Sequence, residues 1–328
     1  MQPCRAATVI ERIRGQGERV HIPLGGVCNN HCLFCMEDDR ESRARAAERM
    51  TAERVRWVME QHRGAQELCF TSGEPTTRAD LPQFIRWARE LGYERVSLMT
   101  NGRRLSYGPY AQALVRAGLN RVYVSIHGDS RSLHEGLTRT PGSFDQTMQG
   151  IRNVARLKPR GLELNSSTVL TRRNVDRQAE IYAVLRALGV DQVVFNALQL
   201  NGGALQHFDQ VVPTYRQTRA GFERVLETAG DHGEAAFLVD VPMCVTEGLP
   251  DNNRGYVERH LHYETDRASE ANGDAADPLR AVHTTELDSA FRGYGEPCEG
   301  CIRRGACPGV YTSYVQRFGW GEFVGVRG

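Results

Sequence analysis

The chain opens with a regular alternation of two hydrophobic patterns. Short apolar segments rich in β-branched residues, typical of buried strands, recur at 21–24, 68–71, 95–99, 121–126, 163–170 and 191–198. Between them, apolar residues at spacings of three and four predict helices. The clearest helix follows Asp80, a good N-terminal cap, and ends at Gly92, while similar segments end at Gly118 and Gly189. Six alternations with short connections predict parallel strands joined by right-handed crossovers.

Unusual polar and cysteine-rich segments follow the first four predicted strands, at 28–35, 72–75, 100–102 and 127–129. The carboxyl ends of parallel barrel strands share one face, on which active sites lie. We therefore predict an α/β fold, a partial (β/α)6 TIM-like barrel over residues 20–212, after an N-terminal extension at 1–19. Residues 213–328 are predicted to form a small C-terminal domain with a polar insertion, a loop or lid, at about 251–297.

Composition narrows the class of protein. The 328 residues include 41 basic and 40 acidic side chains, for a net charge of +1, and no dense basic block indicates a nucleic-acid partner. No apolar run is long enough to span a membrane, and residues 1–14 lack a hydrophobic signal core, so we expect a cytoplasmic protein. In a reducing compartment, nine cysteines indicate metal binding rather than disulfides.

The segment after the first strand places Cys28, Cys32 and Cys35 in one short loop. Three thiolates on a four-iron cubane leave one iron open to a small chelating ligand. A zinc site is the alternative, although zinc usually takes four ligands from paired C-x2-C units. The C-x3-C-x2-C spacing, with Phe34 before the last cysteine, resembles the signature of the radical S-adenosylmethionine (radical SAM) superfamily.

The segment Ser72-Gly73-Glu74-Pro75 extends this resemblance to the second strand. It is similar to the G-G-E-P segment of that superfamily, with Ser in place of the first Gly. The resemblance implies that Gly73 and Glu74, together with Phe34, contact the cofactor, and that the turn receives the methionine ammonium group. Such a group needs a carbonyl or carboxylate acceptor. An ordinary glycine turn before a helix is the alternative.

The segment from Ser125 to Arg139 resembles the fourth-strand region of the subfamily that carries an additional C-terminal cluster domain, called SPASM or Twitch. By that resemblance, Ser125 and Arg139 hold the carboxylate or ribose of S-adenosylmethionine. Asn165 and Ser167, on the fifth strand, are implied as further ribose or carboxylate contacts. His127 stands where the common form has Asp. It is a candidate acid or base facing the substrate, with a structural histidine as the open alternative.

A second cysteine group, Cys298, Cys301 and Cys307, closes the chain, and Cys244 supplies a fourth thiol. Four thiolates would fully ligate an auxiliary [4Fe-4S] cluster, as in many members of the resembled subfamily, or hold a structural zinc. In a third possibility, Cys244 is not a ligand and donates a hydrogen atom to a substrate radical. The sequence leaves these readings open.

The resemblance implies an enzyme that cleaves S-adenosylmethionine with one electron from a [4Fe-4S] cluster and abstracts hydrogen from a substrate carbon. The electron would come from a donor such as flavodoxin or ferredoxin. Few residues precede the first strand, and the expected mouth is polar, so we expect a small polar substrate such as a sugar, aminocyclitol or nucleoside. The outcome could be oxidation, epimerisation, rearrangement or sulfur insertion. A peptide-modifying radical SAM enzyme is one alternative, and a zinc or Fe-S adaptor without catalysis is another.

Overall fold

The computed structural model describes residues 19–37, 40–250, 262–265, 281–283 and 290–328. Its main sheet confirms the predicted parallel α/β architecture. Seven parallel strands run in the spatial order β7-β6-β5-β4-β3-β2-β1, which is the order of a partial barrel. The strands are β1 Arg19–Pro23, β2 Glu67–Thr71, β3 Arg95–Thr100, β4 Arg121–Ser125, β5 Glu163–Val169, β6 Gln192–Asn196 and β7 Ala236–Val239. β7 lies beyond residue 212, the boundary predicted for the barrel.

The outer edge of β1 is extended from the polar insertion. β8 (His262–Thr265) pairs parallel to β1, and β9 (Ala281–His283) pairs antiparallel to β8. The segment predicted as a loop or lid at about 251–297 therefore includes these two short strands, which its weak periodicity did not predict. Their backbone groups pair with an open sheet edge, and that interaction does not require the apolar periodicity used in the prediction. The rest of 251–280 and 284–289 lies outside the described residues, as do 1–18.

Helices follow the strands as the apolar spacing predicts. The three predicted C-terminal glycines adopt left-handed backbones, as in Gly118, where φ is 116°. A capping box formed by Thr214 and Gln217 starts the long helix Tyr215–Ala229. The helices are α1 Arg40–Arg49, α2 Ala52–Gln61, α3 Leu81–Glu90, α4 Gly108–Ala117, α5 Arg131–Thr138, α6 Ser143–Ala155, α7 Gln178–Ala187, α8 Gly202–Gln206, α9 Phe208–Val211, α10 Tyr215–Ala229 and α11 Thr312–Phe318. Within the described residues, no helix has both the length and the apolar character needed to cross a bilayer.

The two faces of the sheet differ in chemistry. Alternate strand residues such as Ile22, Phe70 and Leu164 are fully buried against the helices. The other face points into the barrel and is polar. At its amino end Glu67 lies 2.9 Å from the Nε of Arg19 and 2.5 Å from an Nη of Arg121, and all three side chains are buried. This ion cluster lies at the amino ends of the strands, whereas the cysteine loop and the turns that follow β2, β3 and β4 lie at their carboxyl ends, which we call the mouth of the barrel.

The C-terminal region packs against α9 and α10. The Tyr314 ring lies 4.7 Å from that of Tyr215, and its hydroxyl accepts a hydrogen bond of 3.0 Å from the Tyr215 backbone N–H. Phe318 contacts Phe208, with 5.7 Å between ring centroids. β10 (Arg292–Gly293) and β11 (Val310–Tyr311) form a small antiparallel pair, and Cys298, Cys301 and Cys307 lie in the connection between them. These contacts attach the second cysteine group to the side of the barrel.

Candidate active site

Three residues predicted from the fourth and fifth strands lie on the inward face of the barrel. Ser125 and Ser167 are direct partners in the β4–β5 register, and Asn196 on β6 donates a hydrogen bond of 2.9 Å to the Ser167 hydroxyl. Asn165 lies one step deeper, beside Tyr123. It is 1% exposed, and its side-chain oxygen has no hydrogen-bond partner among the described residues. The mouth therefore carries adjacent hydroxyl and amide groups.

The cysteine loop lies at the carboxyl end of β1, with Cys28, Cys32 and Cys35 all partly exposed. Neighbouring elements hold its backbone. The N–H groups of His31 and Leu33 donate to the last carbonyls of α5 at 3.0 and 2.9 Å. At the other end of the loop, the Cys35 carbonyl accepts from the first turn of α8 at 2.8 Å. The loop is thus fixed on two sides while its thiols stay accessible.

The turn after β2 crosses the cysteine loop at close range. Ser72 and Gly73 both have left-handed backbones, with φ of 68° and 57°. The next N–H, of Glu74, donates to the Val27 carbonyl at 2.8 Å. The Glu37 carboxylate, just past the cysteines, accepts from the Ser72 hydroxyl and from the Gly73 N–H, each at 3.0 Å. The sequence motif indicates this turn, but no motif indicates Glu37, whose hydrogen bonds hold the turn against the cysteine loop.

The side chain of Glu74 points into the protein. It is 1% exposed and accepts four hydrogen bonds, from the N–H and hydroxyl of Thr76, the hydroxyl of Thr100 and the N–H of Asn101, at 3.1, 2.5, 2.6 and 2.6 Å. Burial raises the pKa of the Glu74 carboxyl above its usual value, and the hydrogen bonds oppose that shift. The carboxylate ties the ends of β2 and β3 together, and both of its oxygens are occupied by the protein.

His127 and Phe34 pack against each other beneath the mouth. Their ring centroids are 4.9 Å apart in an edge-to-face arrangement. His127 is 5% exposed; its Nδ1 accepts from the Val169 N–H at 3.3 Å, and its backbone N–H donates to His134 Nδ1 at 3.1 Å. Burial, with a smaller contribution from His134, lowers the pKa of His127 to about 3. This geometry favours the structural alternative for His127, and it turns Phe34 towards β4.

Two positions with unusual backbones flank the mouth. Arg139 is exposed, has φ of 53° and directly follows the helix whose terminal carbonyls hold the cysteine loop. Asp240, at the end of β7, has φ of 62°. Its carboxylate lies 4.0 Å from the guanidinium of Arg292, whose side chain is 2% exposed. No sequence motif indicated Asp240, because an isolated Asp after a short apolar segment carries no distinctive spacing.

The second cysteine group converges on one pocket. Cys244, Cys298, Cys301 and Cys307 all line it, and it is partly open to solvent. Burial and the nearby thiols of Cys307 and Cys298 raise the pKa of Cys244 to about 11. The structure thus brings all four predicted thiols together. In the part of the chain that the structure describes, no three Cys, His, Asp or Glu side chains are placed to hold a single metal ion.

Sequence comparison identifies the family. The profile of the "Radical SAM superfamily" matches residues 22–185, half of the chain, including the cysteine loop and the inward strand residues Ser125 and Ser167. This chain belongs to the radical SAM superfamily. It is 30% identical over 226 residues to a "Probable GTP 3',8-cyclase" of Sulfurisphaera tokodaii, covering 68% of each chain. It is 31% identical over 185 residues to a protein of the same name from Saccharolobus solfataricus, covering 56% of this chain and 58% of that relative, somewhat over half its length.

Solved structures share the fold of this radical SAM protein. Streptococcus suis SuiB bound to S-adenosylmethionine matches 92% of this chain and 74% of its own, with a TM-score of 0.63 and 15% identity. Native anSMEcpe with bound AdoMet and a Cp18Cys peptide matches 90% of this chain and 89% of its own, with a TM-score of 0.57 and 16% identity. The alignments extend past the barrel, so the fold likeness includes the C-terminal region.

Membership of the superfamily implies a [4Fe-4S] cluster and S-adenosylmethionine. The residues of this chain fit both groups. Three accessible thiols on a loop with a fixed backbone are a suitable donor set for a cluster with an open iron, and the Asn30 N–H donates to the Cys28 sulfur at 3.4 Å. On β5, the buried, unpartnered oxygen of Asn165 offers an acceptor for a polar ligand inside the barrel.

Proposed function

We propose that this chain uses S-adenosylmethionine to abstract a hydrogen atom from a carbon of a small polar substrate of nucleoside type. The observation that carries the proposal is the row of polar side chains formed by Ser125, Ser167 and Asn196 on neighbouring strands, at the carboxyl-end face that also carries the cysteine loop. Convergent hydroxyl and amide groups suit a ligand rich in hydroxyls and ring nitrogens. The named activity of the relatives, a probable GTP 3',8-cyclase, supports a nucleotide over a sugar or an aminocyclitol.

In the proposed site, the thiolates of Cys28, Cys32 and Cys35 hold the cluster. With S-adenosylmethionine bound beside it, this cluster would supply the one-electron chemistry that removes a hydrogen atom from a substrate carbon. Since both oxygens of Glu74 are engaged by Thr76, Thr100 and Asn101, the carboxylate fixes the turn, and backbone carbonyls are left to accept the methionine ammonium group. Asn165 and Ser167 then receive ribose hydroxyls within the barrel.

We further propose that the second cysteine group holds an auxiliary [4Fe-4S] cluster. The support is the single pocket shared by Cys244, Cys298, Cys301 and Cys307. That placement favours a ligand role for Cys244 over a role as a hydrogen-atom donor, because Cys244 lines the same pocket as the other three thiols. If C244A loses about half of the iron, Cys244 is a ligand; if iron is kept and solvent deuterium disappears from the product, it is a hydrogen donor.

Iron content and S-adenosylmethionine cleavage test the assignment. We expect anaerobically reconstituted protein to be brown, to carry about eight irons, and to form 5'-deoxyadenosine after reduction. Replacement of Cys28, Cys32 and Cys35 together by Ala should remove about half of the iron and all of the cleavage. C69A is the matched control, because Cys69 is buried in β2 and lies outside both cysteine groups. Colourless protein with stoichiometric zinc would refute an iron–sulfur enzyme and favour the adaptor alternative.

Substrate class is tested by isotope transfer. With GTP deuterated on the ribose as the probe, we expect 5'-deoxyadenosine to acquire deuterium and to form faster than without GTP. A peptide-modifying enzyme is the alternative, and the fold shared with a peptide-bound structure does not separate the two. If GTP, GDP, GMP and guanosine all leave the rate and the isotope content unchanged, the nucleoside proposal is wrong, while cleavage without substrate would still support the superfamily chemistry.

A further inference from the structure

One peptide unit in the cysteine loop lies between a positive charge and a cluster thiol. The Asn30 N–H donates to the Cys28 sulfur at 3.4 Å, and the Asn29 carbonyl accepts from an Nη of Arg103. Both groups belong to the same planar trans peptide, so the carbonyl and the N–H point in opposite directions along one dipole. A cation at the oxygen end therefore orients and polarises the N–H end towards the sulfur.

The guanidinium of Arg103 is itself held in place. The same Nη donates to the Asn30 side-chain oxygen at 3.0 Å, and Nε donates to Gln146 at 2.7 Å. The Arg103 backbone N–H donates to the Asn101 side-chain oxygen at 3.1 Å, and the Asn101 amide donates to the Asn29 side chain at 2.6 Å. The loop after β3 thus donates hydrogen bonds to both asparagines between Cys28 and Cys32. The arginine is fixed before any cofactor binds.

We propose that Arg103 is a positioning residue that acts through the Asn29–Asn30 peptide to strengthen the hydrogen bond to the Cys28 sulfur and to raise the reduction potential of the cluster. This inference rests on the assignment of Cys28, Cys32 and Cys35 to that cluster. Hydrogen bonds to cluster sulfurs and nearby charges are two of the factors that set the reduction potential of a cluster. A hydrogen bond to the thiolate and a nearby positive charge both withdraw electron density from the sulfur, so both favour the reduced form.

The test is a potentiometric titration followed by electron paramagnetic resonance. The signal of interest is the one that changes when S-adenosylmethionine is added, which separates this cluster from an auxiliary one. In R103Q we expect reduction to become about tenfold less favourable, which is about 59 mV more negative for one electron. R103K, which keeps the charge but lacks the planar fork, should fall between R103Q and wild type. R104Q is the matched control, because Arg104 is the neighbour of Arg103 in the loop after β3 and its guanidinium donates to the Thr76 carbonyl.

The outcomes separate this inference from the proposed function. If wild type shows no signal that responds to S-adenosylmethionine, the function itself is wrong. If wild type responds and the potentials of R103Q and R104Q both equal that of wild type at full iron content, the role of Arg103 is refuted. If R103Q fails to bind its iron, the R103K variant provides the test. A reduction potential of R103K below that of wild type, at full iron content, supports the proposal, and a potential equal to that of wild type overturns it.

Discussion

Substitution of Gly73 by Ala tests whether the turn after β2 sets the position of the cysteine loop. Gly73 has a φ of 57°, and a Cβ built on it would lie 2.5 Å from the Val27 carbonyl oxygen, 2.6 Å from the Gly26 carbonyl carbon and 2.8 Å from the Gly25 carbonyl oxygen. All three are backbone atoms, which cannot rotate away as a flexible side chain can. The loop that carries Cys28 must therefore move.

The size of the movement follows from the same distances. Real Cβ contacts essentially never fall below 3.0 Å and become ordinary beyond 3.4 Å, so the loop must shift by about half an ångström to an ångström. The left-handed backbone alone costs an alanine about 1 kcal/mol. A misplacement of about 1 Å at a reacting centre can lower the rate by about 100-fold. We thus expect a large loss of 5'-deoxyadenosine formation in G73A.

Gly92 provides the matched control. It also has a positive φ, of 93°, but nothing lies within 4 Å of its virtual Cβ. G92A should lose about 1 kcal/mol of unfolding free energy and keep its iron and its rate. Anaerobic urea denaturation, iron analysis and the rate of 5'-deoxyadenosine formation, measured on both variants, separate backbone strain from loop displacement. If G73A and G92A match in rate as well as in stability, the turn does not set the loop.

Three further predictions concern buried charge, backbone strain and the buried histidine. E67Q should lose about 3–5 kcal/mol of unfolding free energy, because Arg19 and Arg121 lose the buried carboxylate that they share, while Arg121 keeps its ion pair with the half-exposed Glu163. Burial would raise the pKa of Glu67, but the two arginines hold it below its usual value. Wild-type stability should therefore fall as pH drops below about 4.5, and the variant's unfolding free energy should lack that step. S72A should lose about 1–2 kcal/mol of unfolding free energy in the same urea titration, because it keeps the strained φ and loses the hydrogen bond to Glu37. S72G also loses that hydrogen bond but relieves the strain, so its unfolding free energy should lie within about 0.5 kcal/mol of the wild-type value. H127Q should keep the wild-type shape of the pH–rate profile between about pH 6 and 8, because His127 is neutral there, and loss of a titration step near pH 6.5 would contradict this.

Much of the barrel could be predicted from the sequence because its signals are local. All six predicted strands form, with ends that differ by one or two residues, and the helices end at the predicted glycines. The inward placement of Ser125, Asn165 and Ser167 follows from strand alternation once the register is fixed. Cys298, Cys301 and Cys307 share a pocket as their short spacing suggested, whereas the sequence left the role of the distant Cys244, which lines the same pocket, open. Each of these conclusions depends on periodicity or on short-range spacing.

The remainder of the site depends on contacts between distant segments. Glu37 reaches the turn at Ser72, and Arg103 reaches Asn29 from another loop, so neither contact has a signature in its own segment. The orientation of Glu74 could not be predicted either, because the same motif is compatible with a carboxylate facing a ligand or facing Thr100. Thr76 provides two of its donors from the same segment, and the position of β3 against β2 adds those of Thr100 and Asn101.

Strained backbone positions lie close to both cysteine groups. Among the described residues, the non-glycine positions with a left-handed φ are Ser72, Arg139 and Asp240. Each costs about 1 kcal/mol or more, and such a cost persists only where neighbouring structure over-determines the conformation. Ser72 crosses the cysteine loop, and Arg139 ends the helix that holds it. Asp240 lies at the same edge of the sheet, four residues before Cys244, and faces Arg292 of the cysteine-bearing C-terminal region. The third strained position thus extends the mouth of the barrel from the first cysteine group towards the second.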